Sequence, residues 1–405
     1  MSLLCGRAVA LLAWAAAISV RGWVCPGLAG HWAGVALGPP APRCAPDPGP
    51  QTSAPYLSVV LSTRNDVYGG LPGASGRSSL ERLQRQADNL RLLSACYDVR
   101  VEHVIVEWNP PPGRPLLRDA LQAPPHAHYT ARIITVPPAI HNRTINDERA
   151  YFPASNRKQR TGNMNSAKLP LLEWIAKNAG LRRARGEFVL LCTVDNLFAQ
   201  SLFAYLHSRP LCTSVLYTAI RYDLPQDFDW NHMPSPGAQH DWETCALRGP
   251  LEMSRCVPAV PGLNLTAVQP VHYTYSATRP AAFWWRCPSG DFTLAHRQLF
   301  MLLHGHKEKV WRSMLDTELV VALQSRAASL QNVSGMRGPM LVFHTPVVYH
   351  QWHVHYTHPP VAVARRPEAW ARGKRKAANA HWGLGKDKLQ DTQLGVDHQE
   401  GRHSR

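Results

Sequence analysis

Acidic residues are scarce in this chain, and none occurs before Asp47. Its 405 residues hold 28 Asp and Glu against 44 Lys and Arg, a formal net charge of +16. Such an excess attracts polyanions: nucleic acid, anionic membranes or phosphate-bearing substrates. The motifs that would select nucleic acid are missing. There is no zinc-finger spacing, no P-loop and no RNP-type aromatic motif. Charge alone therefore supports no nucleic-acid partner, and none is expected. Long apolar runs are missing too. The stretch Ala8 to Val20, between Arg7 and Arg21, has the length of a signal-peptide core and is short for a spanning helix. Internal repeats are absent.

What is present divides the chain into four parts. Residues 1–38 read as a signal peptide or an uncleaved signal anchor; the acid-poor start also fits an organelle transit peptide. Residues 39–55 are Pro-rich and read as a stiff stem. Residues 56–360 carry the folded domain. Residues 361–405 open on the basic run "RRPEAWARGKRK" (Arg365 to Lys376), have little apolar content, and read as a solvated, disordered tail. Glycosylation acceptors at Asn142, Asn264 and Asn332 favour the secretory route. Nine cysteines fit an oxidising lumen. Cys245, Cys256 and Cys287 share one loop-rich stretch and are able to pair, whereas Cys192 reads as a small core residue. The expected location is the Golgi lumen, as a type II membrane protein held through the N-terminal segment; the alternative is secretion.

Within the domain, strand and helix signals alternate. "YLSVVLST" reads as a strand running into Arg64, Asn65 and Asp66. Leu80, Leu83, Ala87, Leu90 and Leu93 then share one helical face, with Ser78 or Ser79 as N-cap. "VEHVIVEWNPPP" is a second strand ending near Glu107, and "ARIITVPP" a third. "AKLPLLEWIAKNAGLRRARG" is a helix, and "GEFVLLCTVDNLF" a strand whose tip carries Asp195. This order predicts an α/β fold, a mostly parallel sheet flanked by helices. Open sheets of this kind bind ligands outside the carboxyl ends of their strands. Asp66, Glu107 and Asp195 occupy three such tips. Each has a plainer reading, as a turn or strand-end acid.

The order of motifs resembles the GT-A (Rossmann-like) glycosyltransferases, in particular the large inverting family 2 group. The likeness rests on Arg64-Asn65-Asp66, on Glu107 in "VIVEWNP", and above all on "AKNAGLRRARGEFVLLCTVD", Ala176 to Asp195. Further on, "SGDFTLAHRQLF" and "LDTEL" follow the family's order. The resemblance implies a transferase acting on a nucleotide-sugar donor and a glycan, protein or lipid acceptor. It implies donor contacts from Arg64, Asp66, Glu107, Asn178 and Asp195; Arg64, Lys177 and Arg182 are the basic groups that could hold the diphosphate where a carboxylate is lacking. It implies Asp316 as general base, with Asp291 the second candidate, and a Mn²⁺ or Mg²⁺ ion on Asp195 with His350 and His353. A carboxylate suits both tasks, since it binds hard cations and accepts protons. One departure matters: the family's first Asp of DxD is Thr193 here. That leaves a second reading, a GT-A-like module that binds a glycan or nucleotide without catalysis. "FWWR" (Phe283 to Arg286) is either a sugar-stacking surface or a buried aromatic cluster.

Overall fold

β1, Leu57–Thr63, is buried along its whole length, so it reads as a continuous apolar run rather than an alternating one. The helix after it, α1 (Ser79–Cys96), starts at a capping box. The Ser78 side chain accepts from the Glu81 backbone N–H, and the Glu81 side chain accepts from that of Ser78. Leu83, Ala87, Leu90 and Leu93 form its buried apolar face. Then follow β2 (Val101–Trp108), α2 (Leu117–Ala120), β3 (Tyr129–Val136), α3 (Pro138–Tyr151), α4 (Glu173–Arg183), β4 (Phe188–Cys192) and β5 (Asn196–Phe198). The remaining elements are α5 (Gln200–His207), β6 (Leu216–Asp223), β7 (Gln269–Pro270), β8 (Phe292–His296), α6 (Arg297–Leu303), β9 (Met340–His350) and β10 (Gln390–Gln393). This computed structural model describes residues 54–66, 78–124, 126–151, 170–208, 211–223, 269–270, 292–308, 318–320, 322–323, 326, 340–351 and 381–394.

The strands join one sheet in the order β10-β3-β2-β1-β4-β8-β6-β9-β5, with β7 on β6. The expected parallel arrangement holds for the block β3-β2-β1-β4. Beyond it the sheet is mixed: β8 runs antiparallel to both β4 and β6, and β9 runs parallel to β6. The register levels the strand tips, because Thr63 lies opposite Glu107 and Glu107 opposite Thr135. Each face has its own core. Val59, Leu61, Ile105 and Leu190 pack with α1 and α5. Val60, Val104, Val106 and Leu191 pack with α4 and α6. Cys192 is a free thiol in the first of these cores, as expected of a small core residue. No helix among the described residues is long and apolar enough to cross a membrane.

The family-like motif of α4 follows from packing. A Cβ on Gly180 would lie 2.7 Å from Val60 Cγ1 and 2.8 Å from Val106 Cγ2. A Cβ on Gly186 would lie 2.5 Å from the Ser58 nitrogen. The helix backbone thus lies directly on the sheet. We expect Gly180→Val to destabilise the fold by about 2 kcal/mol, the usual scale of overpacking. A urea midpoint equal to wild type would show that the α4 contact gives way freely.

One expectation is corrected here. Residues 381–394, assigned above to a disordered tail, are built into the domain. β10 pairs antiparallel with β3, Gln390 opposite Thr135 through Gln393 opposite Arg132. The Trp382 ring is buried and stacks on His304 at 5.4 Å.

Candidate functional site at the carboxyl edge of the sheet

The tip of β4 is wired to α1. Arg82, Gln86 and Asn89 recur at helical spacing on a second, polar stripe of that helix. Gln86 Nε2 donates to the carbonyls of Thr193 and Asn196, both at 2.8 Å. Asn89 exchanges two hydrogen bonds with the Phe198 backbone. Arg82, its side chain only 1% exposed, places Nε 2.5 Å from Asp195 Oδ1. Thr193, in the position of the missing acid, turns its hydroxyl to Asn196 Oδ1 at 3.1 Å.

The end of β9 arrives at the same place. Asn196 pairs with His350, and the Gln351 N–H donates to the Asp195 carbonyl at 2.7 Å. The Gln351 side chain donates to the Arg82 carbonyl. His350 Nε2 thereby lies 3.9 Å from Asp195 Oδ2. Two of the three expected cation ligands are therefore neighbours, with one carboxylate oxygen facing Arg82 and the other facing the imidazole. Among the described residues no group of three or more His, Cys, Asp and Glu side chains is placed to hold a metal. His353, Asp291 and Asp316 lie outside the described residues, as do "FWWR", Asn264, Asn332, the basic run, and Cys245, Cys256 and Cys287.

The β1 tip joins this cluster. Asp66 Oδ2 lies 2.7 Å from Arg64 Nε. Burial pushes the Asp66 carboxyl above its usual value, opposed by the charges of Arg64, Arg82 and Arg114 and by a bond from Ser79. Asp66 and Asp195 thus both sit in the field of Arg82. Arg64 also donates Nη1 to the Pro170 carbonyl at 2.8 Å, which Asn109 shares.

The other expected donor contacts are used internally. Glu107 is fully buried. Its Oε1 accepts from the Leu117 N–H at 2.7 Å and its Oε2 from the Thr135 hydroxyl at 3.1 Å. Burial raises its pKa, and these two bonds oppose the rise. Glu107 closes the start of α2, with each carboxylate oxygen accepting an internal hydrogen bond. Lys177 is buried and pairs with Glu173 at 2.7 Å along one helix face. Asn178 exchanges two 2.8 Å hydrogen bonds with the His306 backbone. Arg182 donates to the Trp382 carbonyl. Asn178 thus ties α4 to the loop after α6, Arg182 ties it to the C-terminal segment and Lys177 pairs within α4, all on the face of the sheet opposite α1, and the structure does not bring them to Asp195.

Beyond Arg82, the sequence reading missed His141 of α3. Trp108 Nε1 is donor only and gives its proton to His141 Nδ1 at 2.9 Å. The imidazole is therefore neutral, with its own proton on Nε2. Burial, then the nearby Arg64 charge, lowers its pKa.

No family model matches the chain, and no curated protein matches it in sequence. Among solved structures it is similar to the crystal structure of S. aureus TarS 1-349, at 10% identity and a TM-score of 0.35. That match covers 73% of this chain and 60% of the other. So distant a likeness carries no argument about the chemistry.

Proposed function

We propose that the carboxyl edge binds a nucleotide-diphosphate sugar and transfers its glycosyl group, with inversion, to a hydroxyl acceptor. The observation that carries this reading is the approach of His350 to Asp195, 3.9 Å apart and from two strand ends, with Asp66 in the field of the same Arg82, at the edge where open α/β sheets take ligands. In the transfer, the acceptor oxygen bonds to the anomeric carbon as the bond from that carbon to the phosphate oxygen breaks. The nucleoside diphosphate leaves, and the acceptor proton passes to a carboxylate, assigned to Asp316. Asp195 and His350, with His353, would hold a divalent cation that offsets charge on the departing diphosphate. Arg64, at the same edge, adds positive charge.

The same structure favours a second reading. The family's first acid is Thr193, its hydroxyl turned to Asn196, and Arg82 already faces one oxygen of Asp195. A module that binds a nucleotide or glycan without turnover fits these facts as well.

A secretory location, with the N-terminal segment as anchor, remains our proposal. Supporting it, Cys96 and Cys212 each take part in a disulfide, and Asn142 is exposed on α3. Turnover with nucleotide-sugar donors tests the main reading. Asp316→Asn should keep donor binding and lose turnover by about a hundredfold or more. Should it turn over like wild type, the base passes to Asp291. Should wild type process no donor, the binding-module reading takes over.

A further inference from the structure

A cavity lies at the other edge of the sheet, where β1, β2 and β4 begin. Its volume is about 580 Å³, within the range of small-ligand pockets. β1 is seven residues long, which sets this cavity about 20 Å from the Asp66 end. Tyr56, Pro55 and Met301 supply apolar lining, and Arg100, Arg185 and Arg297 line the cavity beside them. Glu187 is the single acid of the lining. Burial holds the lining imidazole, His296, below its usual pKa, with Glu187 opposing and Arg297 adding to the effect. Three cations therefore stand against one carboxylate.

The arginines are not used up by the fold. Arg185 has a distant companion, Glu102 at 3.9 Å, and that acid is already engaged by Arg132. No hydrogen bond or ion pair joins the Arg100 or Arg297 guanidinium to a described residue. Unneutralised guanidinium groups around a concave, partly apolar surface suit planar, bidentate binding of an oxyanion. An apolar lining suits the body that carries it.

We propose that this cavity binds a phosphate or sulfate ester carried on a carbohydrate, remote from the transfer site. The oxyanion follows from the cavity alone. The carbohydrate carrier rests on the glycosyl-transfer reading, because a transferase that acts on a glycan can grip it beyond the reacting end.

Calorimetric titration of the full chain at low salt tests this, with a fully sulfated heparin tetrasaccharide and inorganic pyrophosphate as probes. The tetrasaccharide should bind, and Arg100→Gln/Arg297→Gln should weaken it about tenfold or more, the scale of losing one charge-assisted contact. Replacing the basic residues of the Arg365–Lys376 run by Gln should leave that site's affinity in place. If the run carries the binding and the arginine pair does not, the proposal is overturned. Pyrophosphate binding without tetrasaccharide binding overturns the carbohydrate assignment. Nucleotide-induced stabilisation, read on the same variants, reports the other edge separately, so failure here and failure of the transferase reading are distinguishable. An unchanged thermal midpoint in the arginine variant shows that its loss is not unfolding.

Discussion

A chain ending at Ala380 will denature at much lower urea than the full chain, by the equivalent of about 4 kcal/mol or more. Residues 381–394 carry one large buried side chain and several internal bonds. Trp382, 7% exposed, lies between the His304 ring and the Arg182 guanidinium, each 5.4 Å away. Losing a buried Trp alone costs about 3–5 kcal/mol. Truncation also strips partners from residues that stay. Arg183 loses acceptors at Gly383 and Leu384. Glu308, whose carboxyl burial pushes up, loses the Gly383 N–H at 2.6 Å. Arg132, buried beside Glu102, loses Asp391. Finally β3 becomes a bare edge strand rich in apolar residues, a template for aggregation. A chain ending at Leu394 should match full length. Equal urea midpoints for the chains ending at 380 and at 394 would show the segment to be dispensable.

The parallel block and its helices were legible because burial leaves periodic traces. β1 to β4 are short apolar runs between turn signals, and α1 repeats its leucines at helical spacing. β10 was not legible for the opposite reason. Its "QDTQ" is polar and mostly exposed, and it is held by main-chain pairing and by the Asp391–Arg132 contact, neither of which leaves a periodic trace. The site divides the same way. A strand running into an acid pointed to Asp195, and the C-terminal histidines pointed to His350. Glu107 gave the same strand-end signal, yet its oxygens close α2, because a buried carboxylate takes whatever donors the fold offers. Asn178, expected as a donor contact, bonds through both amide atoms to the His306 backbone in the loop after α6. Arg82, Gln86 and Asn89 do sit one and two turns apart. That spacing was visible, but an apolar stripe on the same helix drew the reading, and their partners lie far along the chain.

Arg82→Met should destabilise the protein by about 3–5 kcal/mol, the range for breaking a buried ion pair from one side. The argument is desolvation. The Arg82 and Asp195 side chains are 1% and 12% exposed, so removing the guanidinium takes the 2.5 Å ion-pair partner from a carboxylate in a water-poor place. Asp66 loses the same field. Replacing both partners, as Arg82→Met/Asp195→Leu, removes the buried carboxylate as well, and most of the lost stability should return. A double-mutant cycle in urea reads the coupling directly; additive losses would refute the pairing. The single variant also probes the chemistry. Arg82 holds positive charge against Asp195 Oδ1, which opposes a cation shared by Oδ2 and His350. If the two residues form a cation site, folded Arg82→Met at low temperature should bind Mn²⁺ more tightly than wild type, by about tenfold for one charge screened at that range. Electron paramagnetic resonance of free Mn²⁺ measures this without any substrate. Unchanged Mn²⁺ affinity alongside the expected instability would mark Asp195 as the counter-ion of Arg82 rather than a cation ligand.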